Sequence, residues 1–463
     1  MDTPLHRTFT SFGCRIWITI LLTAALLTQA LPAFGRTLSA PSADGDPAAI
    51  LVLGQPDFHS FSQDTTADSM RFPAGVAIDP VSRKVFVADS DNNRVLRFAS
   101  VEQLSNGIPA EGVLGQPDFT SGEPTPWEGP GCAEITTANT MCGPTAVALD
   151  QKGRLWVADY GNHRVLRFDD AAMKPNSAPA DGVLGQIDFY SRELRQTGPQ
   201  SISTPTFLAL DQDGRLWVSD SARGRILRFD DAANKMNGGL ADGILGSSDF
   251  TSIVSGLSQS TMGSPQGITV DPEGRLWVMD SGNNRILRFD HAASKSNGAP
   301  ADAVLNQPDF TSNAGCNRSL GDIYESGSLS IDRSGRLWIS YPRPYHLAWF
   351  DQAASKPNGS NPDGLIGQNT TSTENQSISA STIVRVAGLF YDNPTDSLWV
   401  SDTDNHRILQ FRIGDAVSNP HTPENPNTVP LQIPGVVGTP IILGQESFAN
   451  CTGINKTQRT SFP

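Results

Sequence analysis

The stretch Leu276-Trp277-Val278-Met279-Asp280-Ser281-Gly282-Asn283-Asn284-Arg285-Ile286-Leu287-Arg288-Phe289 decides the fold. Two β-prone runs flank a short polar turn rich in Asn and Gly, the pattern of a hairpin. Both runs are apolar almost without alternation, and an antiparallel strand reads that way only when both faces of its sheet are covered. The segment recurs five more times, starting at Val85, Leu155, Leu216, Leu337 and Leu398. Start-to-start spacings are 70, 61, 60, 61 and 61, and fixed spacing marks a repeat architecture. The first interval is lengthened by an insertion that carries Cys132 and Cys142.

Working outward, each copy has two more strands. Ahead lies a short β-rich stretch ending in Asp, such as Gly267-Ile268-Thr269-Val270-Asp271, joined to the Trp strand by an Asp-Gly or Glu-Gly type of turn. Behind, a polar loop such as Asp169 to Asp181 returns to Val183-Leu184-Gly185-Gln186. Four short strands per repeat, covered on both faces, predict an all-β ring: a six-bladed β-propeller of four-stranded antiparallel blades. The Leu-Gly-Gln strand occurs seven times, first at Leu53-Gly54-Gln55 and last at Leu443-Gly444-Gln445. Two segments therefore compete for one outer position in the closing blade, and pairing of the N-terminal one would lock the ring. Because Ser461-Phe462-Pro463 resembles Arg71-Phe72-Pro73, a truncated seventh repeat is the alternative.

The motif Asp280-Ser281-Gly282-Asn283-Asn284-Arg285-Ile286 resembles the NHL-repeat family, whose blades carry an apolar strand ending in Asp, an Asn-rich turn, Arg and a second apolar strand. The resemblance covers nearly all of the chain after its leader. It implies a propeller, a fold used as a binding platform and, in relatives, as an enzyme.

Composition agrees with this reading and narrows the partners. Among 463 residues there are 42 Gly and 33 Pro, and only 18% are charged, against about 25% in an ordinary globular protein. Long solvent-facing helices are not expected. The net charge of -14 repels phosphate backbones, so nucleic acid is not an expected partner. Arg7 and Arg15, the apolar run from Ile16 to Ala30 and the small residues Ala33 and Gly35 read as a secretory signal peptide over residues 1–35. That run is shorter than the roughly 20 residues of a membrane span. The expected order is signal peptide 1–35, linker 36–49, propeller 50–445 and tail 446–463, with a secreted or periplasmic monomer as the product. The four remaining cysteines permit disulfides, and Cys132 is expected to pair with Cys142.

Candidate sites are expected where the repeat breaks its own pattern. Asp89, Asp159, Asp220, Asp280 and Asp402 are each followed five residues later by Arg, at 94, 164, 225, 285 and 407. Recurrence in five of six blades points to structure, with Asp accepting backbone hydrogen bonds across the turn and Arg packed beside it. The fifth blade departs from this. Tyr341 stands in the Asp position and His346 in the Arg position, with Arg343 and Tyr345 between them. Such side chains make a plausible recognition patch for a protein, peptide or glycan. His163 and His406 both sit four residues after the blade Asp. Peptidyl-hydroxyglycine lyases resemble this in placing metal-binding His in comparable turns. That resemblance implies an alternative function, a metal-dependent lyase or lactonase-like hydrolase working in the central channel with Zn or Ca. A catalytic zinc site needs about three protein ligands, and the equivalent positions here are Asn93, Gly224, Asn284 and Tyr345. The expectation is therefore a non-catalytic binding scaffold without a cofactor.

Overall fold

The computed structural model describes residues 48–413, apart from 123–135, 194–196, 254, 314–326, 342–345 and 368–377. Six four-stranded antiparallel sheets account for all the named strands of this region. Blade 1 is Pro73–Ile78, Lys84–Asp89, Arg94–Ser100 and Gly112–Leu114, running from the channel outward. Blades 2 to 5 repeat that order, with inner strands Pro144–Leu149, Pro205–Leu210, Pro265–Val270 and Leu329–Ile331. Blade 6 takes Val386–Asp392, Ser397–Asp402 and Arg407–Arg412 from its own repeat and Leu51–Leu53 from the N-terminal side. Register there is Leu51 to Gln410, Val52 to Leu409 and Leu53 to Ile408. The described helical elements are all three-residue 3₁₀ turns.

The borrowed strand decides between six blades and a truncated seven. Each inner strand lies against the next, and that of blade 6 lies against that of blade 1. Ser401 and Thr403 of blade 6 donate their hydroxyls to the carbonyls of Ala74 and Pro73 in blade 1. The ring thus closes at six, and the seventh-repeat alternative is corrected. Leu443-Gly444-Gln445, the signal peptide, the linker up to residue 47 and the tail lie outside the described residues.

The cores lie between blades rather than within them, which is why the strands lack alternation. Trp156, Trp217, Trp277, Trp338 and Trp399, with Phe86 in the first copy, are each no more than 2% exposed. Each packs into the apolar layer shared with the following blade, Trp399 reaching back to Val76, Val85 and Leu96 of blade 1. An indole that buries about 150–250 Å² contributes on the order of 4–6 kcal/mol of gross transfer free energy. One large ring per interface therefore ties every blade to its neighbour.

Candidate functional site

The hairpin turn that carries the motif residues is built from the Asp outward. In blade 2, Asp159 accepts from the Cys142 amide at 2.7 Å, the Asn162 side chain at 2.9 Å and Arg164 Nε at 2.7 Å. Arg164 also donates to the carbonyls of Phe189, Thr137 and Thr140 at 2.6, 2.9 and 2.8 Å. The Asp–Arg pairs of blades 1, 2, 3, 4 and 6 all have 0% side-chain exposure on both partners. Burial of these charges is tolerable because bonds from backbone and Arg replace the lost water. The structural role expected of these residues is what the geometry shows.

His163 and His406 occupy the left-handed position at the end of that turn, with φ of 56° and 55°. This conformation aims the side chain at the segment that leads into the next blade. His406 Nδ1 accepts the Phe72 amide at 3.2 Å, and its ring meets the Phe72 ring in a T-shaped contact at 4.6 Å. Burial holds the His406 imidazolium below its ordinary pKa, with Asp404 pulling the other way and Arg71 and Arg385 reinforcing the shift. His163 Nδ1 contacts the Ser203 carbonyl. Asn93 does the same work between blades 1 and 2, its Oδ1 accepting the Gly143 amide at 2.8 Å. Both histidines thus spend Nδ1 on the neighbouring blade. Among the described residues no group of three or more His, Cys, Asp or Glu is placed to hold a metal ion, so these donors do not fit the Zn or Ca centre of the alternative.

The channel is a cavity of about 560 Å³ whose walls include Ala148, Phe207, Leu210, Val270, Ile331 and Phe390. Carboxylates gather where the inner strands end, and those of blades 4 and 5 bind their own turns. Asp271 accepts the amides of Glu273 and Arg275 and the Trp277 indole N–H; Asp332 accepts those of Ser334 and Arg336 and the Trp338 indole N–H.

In blade 5, Tyr341 and His346 are partners in the hairpin register. Arg343 and Tyr345, like Cys132, lie outside the described residues. Ser340 Oγ accepts the Ser328 amide at 2.7 Å, so a serine holds the approach to this blade's inner strand. Cys142 is fully buried.

Two sets of residues escaped sequence reading. An Asn eight positions after the blade Phe crosses to the preceding blade. Asn106, Asn176, Asn237, Asn297 and Asn358 accept the amides of Val52, Val113, Val183, Ile244 and Val304 at 3.0–3.2 Å. Its fixed offset in every repeat was the available signal. The other is Arg83 of blade 1, which donates to both carboxylate oxygens of Asp392 in blade 6. No spacing rule announces that pair.

Repeats, blade count and turn chemistry together define a class, the six-bladed β-propeller built from NHL repeats. The NHL repeat matches residues 70–98, 141–168 and 262–289, in blades 1, 2 and 4, so the chain carries NHL repeats. It is 22% identical over 361 residues to NHL repeat-containing protein 2 of Homo sapiens, covering 73% of this chain. The chain spans about half of that relative, 46% of its length. Among solved structures it is similar to virginiamycin B lyase from Staphylococcus aureus, at 13% identity, 80% coverage of this chain, 97% of that one and a TM-score of 0.42. A gluconolactonase from Xanthomonas campestris is similar at 16% identity, with coverages of 80% and 99% and a TM-score of 0.41.

Proposed function

We propose that the chain is a non-catalytic binding platform for a protein, peptide or glycan. The observation that carries this reading is where the repeated polar groups go: Asp, Arg, Asn and both candidate metal-binding His are engaged in building the blades and joining them. A group locked in such bonds has little freedom to move protons or hold a substrate. The contact surface in this reading is the blade 5 hairpin, with Tyr341, Arg343, Tyr345 and His346, because it alone abandons the Asp–Arg pair.

Export belongs to the same reading, as does a Cys132–Cys142 bridge. Closing so short a loop would add about 2–3 kcal/mol. Peptide mapping of unreduced protein tests the bridge, and N-terminal sequencing of exported material tests removal of residues 1–35.

The functional test compares wild type with the fourfold alanine variant at 341, 343, 345 and 346 on peptide and glycan arrays, with melting curves as the folding control. Selective loss of bound features supports the platform. Unchanged binding removes the blade 5 hairpin from it. One equivalent of zinc in protein purified without chelators, together with lactonase or lyase turnover, would replace this reading with the channel enzyme.

A further inference from the structure

Asn-Gly occurs four times in the chain, at 106–107, 237–238, 297–298 and 358–359, and every instance stands at a crossing between blades. The fold demands both halves of the pair. The asparagine supplies the acceptor for the outer-strand amide of the preceding blade. The glycines have φ of +67° to +82°, and a Cβ on them would come within 2.7–3.1 Å of the Cα of Pro56, Ile187, Ser248 or Pro308.

The pair so required is also chemically labile, because a glycine nitrogen has no side chain beside it to hinder its attack on the Asn amide. That attack joins the Gly nitrogen to Cγ of Asn and breaks the Cγ–Nδ2 bond. The proton lost from the Gly amide leaves with Nδ2 as ammonia. Water then opens the five-membered imide at either carbonyl, leaving aspartate or isoaspartate. In the folded ring both reacting groups are occupied. Oδ1 of each Asn accepts the amide of Val52, Val183, Ile244 or Val304 at 3.0–3.2 Å, and the Gly amide donates to the carbonyl of that same residue at 3.0–3.2 Å. The side chain has to turn from its bond, and the nitrogen has to give up its own, before the imide can close.

We infer that these four pairs are latent modification sites, held unreactive while a crossing is closed and deamidated by water, one crossing at a time, where it opens. Isoaspartate places an extra methylene in the backbone, so acceptor and donor no longer face the same outer-strand residue. Conversion therefore breaks the crossing for good. Asn176 of the fifth such crossing precedes Ser177, whose side chain hinders the attack.

The test uses the full-length chain, incubated at mildly alkaline pH and followed by peptide mapping that separates Asn, Asp and isoAsp. In the native chain each of the four sites is expected to convert at least about tenfold more slowly than in the same chain in urea. Asn176 should be the slowest of the five in urea. Val183→Pro deletes the amide that Asn237 holds, at an edge position that tolerates proline. It should speed conversion at 237 by roughly threefold or more and leave 106, 297 and 358 at their native rates. Ile244→Pro does the same for 297 and replaces the first variant if melting curves show that one unfolded. Native rates equal to those in urea overturn the inference. So does a folded variant in which the released site keeps its native rate, or in which all four sites speed up equally.

Discussion

Arg83 of the first blade holds Asp392 of the last in a two-pronged grip, with hydrogen bonds of 2.8 and 2.6 Å between residues 309 positions apart. Asp392 has 2% side-chain exposure and Arg83 19%, so the pair sits at the seam where the ring closes with only a narrow opening to water. Asp392 in turn raises the Arg83 pKa, chiefly through these hydrogen bonds.

Arg83→Ala strands a buried carboxylate at that seam. Loss of one partner of a buried pair costs about 3–5 kcal/mol, and the partial exposure of Arg83 places this case toward the lower end. Denaturant unfolding monitored by tryptophan fluorescence should show the midpoint fall. A cost below about 0.5 kcal/mol would mean that the seam does not depend on the pair.

Stability should fall on mild acidification because of His406. Its folded pKa lies below the ordinary value of 6.5, so the unfolded chain takes up the proton first. The contribution is complete above about pH 6.5 and is lost as pH falls from there through the lower folded value. His406→Asn copies the arrangement of Asn93 and should flatten this part of the profile while keeping the fold. Melting midpoints between pH 5 and 8 decide the matter, and an unchanged acid slope in the variant would count against His406.

Asn237→Ala removes the acceptor for the Val183 amide without touching the blade that Val183 belongs to. The expected cost is about 1–3 kcal/mol, that of an unsatisfied buried donor. Amide exchange at Val183 should accelerate by at least tenfold, whereas exchange in blade 5 should stay as it was.

Gly185→Ala tests a turn rather than a contact. Gly185 has φ of +88°, and a Cβ would fall 2.8 Å from Ile202. Backbone strain of about 1–3 kcal/mol adds to the clash, and the melting midpoint should drop accordingly. The open turn glycine Gly214, at φ of +76° with nothing near its Cβ, should be hurt less by the same change.

Within a blade the sequence was nearly transparent. Period, turn chemistry and the Asp–Arg spacing are local, so strand order and the role of Asp159 with Arg164 could be read directly. The spacing also placed His163 and His406 at equivalent turns. It could not say that a left-handed turn residue points into the next blade, because that direction depends on how neighbouring blades stack. Arg83 with Asp392, and the Asn set with its amides, lie beyond local reading for the same reason: their partners are 53 to 309 residues away. Arg343 and Tyr345 stay at the level of sequence.

The Asn crossings carry a consequence for how the protein meets other chains. An outer strand of three residues offers one outward-facing amide and carbonyl, and in a sheet such an unpaired edge invites strand addition and aggregation. At Val52, Val113, Val183, Ile244 and Val304 both groups are already taken: the amide by Asn, and the carbonyl by the amide of the residue after it, Gly107, Ser177, Gly238, Gly298 or Gly359. Five rims of the propeller are thereby insulated against templated β-pairing, and a partner that docks there must recognise loops and side chains.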